Sequence, residues 1–325
     1  MSTVSLWSVI VLLFAAGSMA GAIVVTSLET MLRRSLRSFA PAARVRWLTT
    51  LVAMPYATGL LAVVVAFGPC LHHLAFGLED GCLAHGRPNF FFCLRTPMHD
   101  VPMAWAAAGL LLAFALGRAV ASTVRLVRAH RACCMLRRVG RWDASRSVWL
   151  VPGSVAMVAG LPSPHIFLGE VLVQHFSQRV LDAVLAHERA HAARRDLATK
   201  LIARVAASCL PPRTRAELLS ELDLAMEQAC DAIAAADTRD PLLVARSLLE
   251  LASIDDRPHA WAATFASSEH LEARVRALCE PRWRSSRSAF AAASTLVTGL
   301  LLTCLVFDLK IHEATETIFA TLLVG

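Results

Sequence analysis

The chain has 325 residues, 56% of them hydrophobic, with a mean hydropathy of +0.54. That is too apolar for an ordinary soluble domain and points to a membrane protein. The net charge of +7 and pI of about 9.2 are explained by arginines that flank apolar runs near anionic headgroups, so direct nucleic-acid binding is not required.

Four runs are long and apolar enough to cross a hydrocarbon core of roughly 30 Å as helices: residues 6–28, 47–68, 101–124 and 289–307. The first has no lysine or arginine before it and is too long for a signal peptide, so it reads as a retained span. Pro55 and Gly59 are tolerable in the second span if neighbouring helices satisfy the freed backbone. Arg33, Arg34, Arg37, Arg44 and Arg46 crowd the first connection, against only Arg87 and Arg95 in the second. The excess makes the first connection cytoplasmic and puts the amino terminus outside. Leu32, Leu36 and Phe39 among those arginines read as a short amphipathic helix on the inner leaflet, able to contact what lies below. The outer loop, 71–100, holds Cys82, Cys93 and four histidines and is preceded by Cys70. An oxidising periplasm allows one disulfide among those three cysteines, and the histidine spacing matches no metal-ligand pattern. The third span returns the chain to the cytoplasm, where Arg125, Arg128, Arg131, Arg137, Arg138 and Arg141 hold the exit.

After a basic helical stretch ending near Trp142, the apolar runs SVWLVPG, SVAMVAG and HIFLGE are broken by Pro152, Gly153, Gly160, Pro162 and Pro164. That pattern predicts a few short strands, and one beside a cleft could hold an extended peptide by edge pairing. Next comes VLDAVLAHERAHAARRD, residues 180–196, with Ser177 as its N-cap. On a helix, His187 and His191 lie one turn apart on the same face and can reach one metal ion, while Glu188 stands about 100° round, where a general base belongs. Catalytic zinc needs a third protein ligand. Glu227, in AMEQACDAIAAAD, is the best candidate, with Glu217 and Glu221 as competitors. Asp231, one turn beyond Glu227, is expected to orient a ligand histidine, and Cys230 to be a small buried residue. Pro211 and Pro212 stop one helix, and Thr214 with Glu217 predicts a capping box opening the next. Two helices folded back at that turn would bring Glu227 to the histidines. One zinc ion, with Glu188 as base, then implies peptide hydrolysis. Helices follow at 241–253 and 268–279. The single tyrosine, Tyr56, lies in the second span, so oxyanion stabilisation falls to an arginine or to a histidine such as His270.

The segments GLPSPHIFLGEVL, AVLAHERAHAARRDLATKLI, MEQACDAIA and LEARVRALCEP, with spans on both sides, resemble the BlaR/MecR family of integral-membrane zinc metallopeptidases, which transduce β-lactam signals in bacteria. The resemblance implies His187, His191 and Glu227 as zinc ligands and Glu188 as catalytic base. It also implies limited proteolysis of a partner, such as a winged-helix repressor, or of the protein itself. The best-known members carry a penicillin-binding sensor domain after the last span. Here a short tail follows Asp308, so a signal is expected to enter through the outer loop, the spans or a partner. The HtpX-like quality-control proteases and the CAAX prenyl-protein proteases, also membrane enzymes, look similar but match RRD and ACD less well. A non-catalytic signalling or scaffold protein that retains the metal site is the rival from another class.

The expected architecture is a mainly α, multi-pass membrane protein of the bacterial inner membrane. Residues 1–123 form three spans, 124–286 a cytoplasmic α+β HExxH (gluzincin-like) metallopeptidase domain, and 287–325 a fourth span with an outside tail.

Overall fold

The computed structural model describes residues 3–76, 102–254 and 268–280. The fourth expected span, the cysteines Cys82 and Cys93 and most of the outer loop lie outside those residues.

Helices α1 (Thr3–Leu36) and α2 (Pro41–Phe76) form an antiparallel hairpin. Small residues let their backbones touch: a Cβ added at Gly21 would stand 3.1 Å from the Pro55 Cα, and one at Gly17 2.7 Å from the Thr58 carbonyl oxygen. Gly17 and Gly21 are four residues apart, the spacing that brings membrane helices close. The third long helix, α3 (Pro102–Val139), is different. In the apolar windows of α1 and α2 33% of residues are buried, in that of α3 none. All three are long and apolar enough to cross a membrane.

No separate amphipathic helix lies between α1 and α2. Both helices run on, leaving only residues 37–40 between them, because the arginines there find carboxylates on the domain beneath. Arg33 pairs with Glu29 and, at 2.7 Å, with Glu217; Arg37 pairs with Glu221. Arg44, 3% exposed, reaches Glu221 at 3.3 Å and Gln228 at 2.6 Å. The basic character read as headgroup contact is in part an internal polar joint.

Gly140 ends α3, and a four-stranded sheet follows: β1 (Arg141–Asp143), β2 (Val148–Val151), β3 (Ala156–Ala159) and β4 (His165–Gly169), ordered β1-β2-β4-β3. β2 and β4 are parallel; the other two pairs are antiparallel. The last three strands are the expected ones, and β1 was hidden in what read as the end of a basic helix. The sheet packs through Val148, Leu150 and Leu168 against α4 (Glu170–His175) and α5 (Gln178–Arg194). The Ser177 Oγ accepts a hydrogen bond from the Val180 amide, so the expected cap is made.

At Arg195 the backbone turns left-handed, with φ 54°, and the chain restarts as α6 (Asp196–Ala206) and one 3₁₀ turn (Ala207–Cys209). Then comes α7 (Pro212–Thr238). The expected capping box is absent: Pro212, whose fixed φ suits the first helical position, starts α7 two residues early and leaves Thr214 buried inside its first turn. Helices α8 (Pro241–Ile254) and α9 (Ser268–Cys279) complete the domain.

One core joins membrane helices to domain. Val25 of α1 and Leu48 and Val52 of α2 share it with Ala203 and Ala207 and with Leu218, Leu222 and Met226 of α7. Each of the fully buried Val, Leu and Met side chains contributes about 1.5–3 kcal/mol. The helix carrying Glu227 is therefore fixed against the hairpin.

Candidate metal centre

Helix α5 buries two faces. Leu181, Val184 and Leu185 face the sheet, and Ala183 and Ala186 pack toward α7, α8 and α9, where their small side chains permit close approach. His187 and His191, on a third side, face α7. Their Nε2 atoms are 3.1 Å apart, and the Glu227 Oε2 lies 3.4 Å from each. The Pro-Pro turn folds α7 back antiparallel to α6 and brings this about.

The other ring nitrogens face carboxylates. The His191 Nδ1 is 2.8 Å from the Asp196 Oδ2 in a hydrogen bond, and the His187 Nδ1 is 2.9 Å from the Asp231 Oδ1, an ionic contact too bent for a good hydrogen bond. Both histidines thus turn Nε2 inward. Arg274 of α9 forks Asp231 through two 2.8 Å bonds and stands 3.3 Å from the Glu227 Oε2. The Lys200 Nζ is 3.4 Å from the Glu227 Oε1, on the side away from the imidazoles. Glu188, 7% exposed, lies near Arg274, whose guanidinium pKa is raised against burial chiefly by Asp231, then by Glu227 and least by Glu188.

These charges balance one another in the buried site. Burial opposes protonation of both imidazoles. Asp196, Cys230 and Glu227 outweigh it at His191, pushing its pKa up to about 12, and Asp231 and Glu227 raise that of His187. Burial favours the neutral acid at Glu227, yet His187 and His191 hold its carboxyl well below the usual range. Cys230 is buried, with its thiol pushed up to about 11 chiefly by desolvation. It touches Asp196 at 3.2 Å and the His191 Nδ1 at 3.3 Å, and so lies behind His191, as a small buried residue would.

Tetrahedral zinc, with bonds of roughly 2.0–2.1 Å to nitrogen and oxygen, sets its donors about 3.3 Å apart. The triangle of 3.1, 3.4 and 3.4 Å formed by His187, His191 and Glu227 has that size, and two neutral imidazoles with one carboxylate are a donor set zinc accepts. The residues fit the ion. The competing acids do not: Glu217 and Glu221 are committed to arginines of the hairpin. His270, the histidine named for oxyanion stabilisation, bonds the Ser220 Oγ at 3.2 Å, two turns of α7 before Glu227.

The model of the BlaR1 peptidase M56 family matches residues 95–278, more than half of the chain. This chain belongs to that family. Membership makes it a membrane-associated metallopeptidase relative, in agreement with the apolar helices and the donor triangle. No curated protein and no solved structure matches the chain.

Sequence reasoning missed three groups in this BlaR1 peptidase M56 site. Asp196 is the acid of RRD, five residues after His191, and the left-handed Arg195 is what swings it back. Arg274 sits among other arginines in LEARVRAL, and nothing local distinguishes it. Lys200 lies one turn beyond Asp196 on α6, where it reads as an ordinary helix lysine.

Proposed function

We propose that the protein is a membrane-bound zinc endopeptidase that cleaves a cytoplasmic protein in signal transduction, a transcriptional repressor or the protein itself. The convergence of two imidazoles and one carboxylate, with Glu188 beside them, carries this reading. His187, His191 and Glu227 would hold the ion, oriented by Asp231 and Asp196. Zinc there would supply Lewis acidity toward a carbonyl and a water. Glu188 takes the proton of the attacking water and returns it to the leaving amine. Arg274 locks Asp231, and through it the ring of His187. β3 is an edge strand packed near α5, so its free side suits an extended substrate backbone.

The pairing of Arg37 and Arg44 with α7 supports the topology. Both belong to the joint between the first two spans, so that joint and the peptidase domain share one side of the membrane, and the positive-inside bias makes that side cytoplasmic. The domain, 124–286, would lie between the third span and a fourth at 289–307, with both termini outside.

Cells producing wild-type or Glu188→Gln protein, compared for newly formed protein amino termini, test the reading. Both forms should hold one zinc, and only the wild type should generate new termini. Identical termini in both would establish the non-catalytic alternative.

A further inference from the structure

We propose that the turn between α6 and α7 is a lipid-binding element, which dips into the inner leaflet of an anionic bilayer and is distinct from the spans. Its occupant is lipid, and the inference does not depend on the reaction.

The depth of the turn comes first. The Tyr56 hydroxyl is 2.9 Å from the Ser208 Oγ. Tyr56 lies nine residues past Trp47 on α2, about 13 Å along that helix. A second ruler agrees: Pro55 and Thr58 are level with Gly21 of α1, and Gly21 is eight residues, about 12 Å, from Glu29, the first charged residue of α1. The 3₁₀ turn that holds Ser208 is therefore drawn up beside the apolar part of the hairpin.

The surface chemistry of the turn suits that depth. Ala203, Ala207 and Leu210 face inward and share a core with Leu48 and Val52. Ile202, 63% exposed, Val205, 43% exposed, and Cys209 follow at intervals of three and four, a stripe along the opposite side. Isolated exposed apolar residues are normal on a soluble domain. Leu60 and Val64, one and two turns beyond Tyr56 on the same side of α2, are exposed as well. Arg204 and Arg213 are exposed and Arg215 is half-buried around it, and Arg213 also bonds Glu217 at 3.0 Å. An apolar stripe rimmed by arginines, whose stems lie along it while their heads reach phosphates, is how an interfacial helix meets anionic lipid. Asp196, at the other end of α6, holds His191, so the element also fixes the distance of the metal centre from the membrane surface.

Two cysteines make the test possible in the wild-type protein. Cys209 lies on the stripe and Cys279 on α9, and both are exposed. The full chain is placed in nanodiscs of phosphatidylethanolamine and phosphatidylglycerol, a fraction of the lipid carrying a photoactivatable group on its acyl chain. It is then treated with a charged maleimide, and each cysteine is read by peptide mass spectrometry. Cys279 should react, Cys209 should react at least about tenfold more slowly, and illumination should attach lipid to the peptide holding Val205 and Cys209. Equal maleimide rates without lipid attachment would mean that the turn is in water. Protection without lipid attachment would mean that protein covers it, either residues 289–307 or a second copy. Either result overturns the proposal. In an Ile202→Glu, Val205→Glu protein that retains its zinc, lipid attachment should fall and the maleimide rate at Cys209 should rise toward that at Cys279.

Discussion

Helix α7 presents acids at two levels, and they meet opposite surroundings. Glu217 and Glu221 face the arginines of the membrane hairpin; Glu227 and Asp231, two to three turns further on, face the imidazoles of α5 and the guanidinium of Arg274. All four are carboxylates on one helix, and three of them are buried. What each can do is decided by the element opposite. A carboxylate forked by arginine has its lone pairs engaged, whereas one held against two inward-turned Nε2 atoms completes a metal-sized triangle.

Four substitutions break this contrast, and pH sharpens it. Glu227→Ala should have the largest effect, with zinc occupancy and proteolysis both lost, read by elemental analysis and by the amino-terminal comparison. Glu221→Ala should keep its zinc but leave Arg44 buried without its carboxylate, costing about 3–5 kcal/mol in thermal or denaturant unfolding. Asp231→Asn should weaken zinc binding about 10–100-fold while the fold survives, measured by competition with a chelator. Glu217→Gln, at the more exposed end of the joint, should change stability by less than about 1 kcal/mol.

The pH effect follows from His191. Its folded pKa is raised to about 12, so in the metal-free chain the stability gained from its proton is complete below about 6.5, declines steadily as pH rises above that, and is gone once pH has passed about 12. Zinc must displace that proton, and its affinity should therefore rise with pH across the neutral range, with proton release visible by calorimetry in buffers of different ionisation enthalpy. An affinity flat from pH 6 to 8 would contradict the proton inventory of the site.

Local signals made much of this legible. The four-residue spacing of His187 and His191, the cap at Ser177, the strands punctuated by Gly153 and Gly160, and the fold-back at Pro211 and Pro212 are all written within a few residues of where they act. That Glu227 and not Glu221 stands at the imidazoles was readable only as a preference. The fact that removes Glu221 is an arginine 177 residues earlier in the chain. Long-range pairing also explains the missed amphipathic helix: Arg33, Arg37 and Arg44 look like headgroup contacts until α7 is placed beneath them. The capping box failed for a local reason, because proline at the first helical position competes with a threonine two residues later. Arg274 was invisible since its partner, Asp231, lies on another helix.

Gln228 bridges the two levels of α7. Its Oε1 accepts from Arg44, and its Nε2 donates to the Ala273 carbonyl 3.0 Å away. Gln228 itself follows Glu227 in the chain, and the Ala273 that it bonds precedes Arg274. A tilt or rotation of the first two membrane helices therefore has a direct lever on both the carboxylate of the donor triangle and the guanidinium that braces it. The third long apolar helix, which is nearer in sequence, has no comparable grip among the described residues.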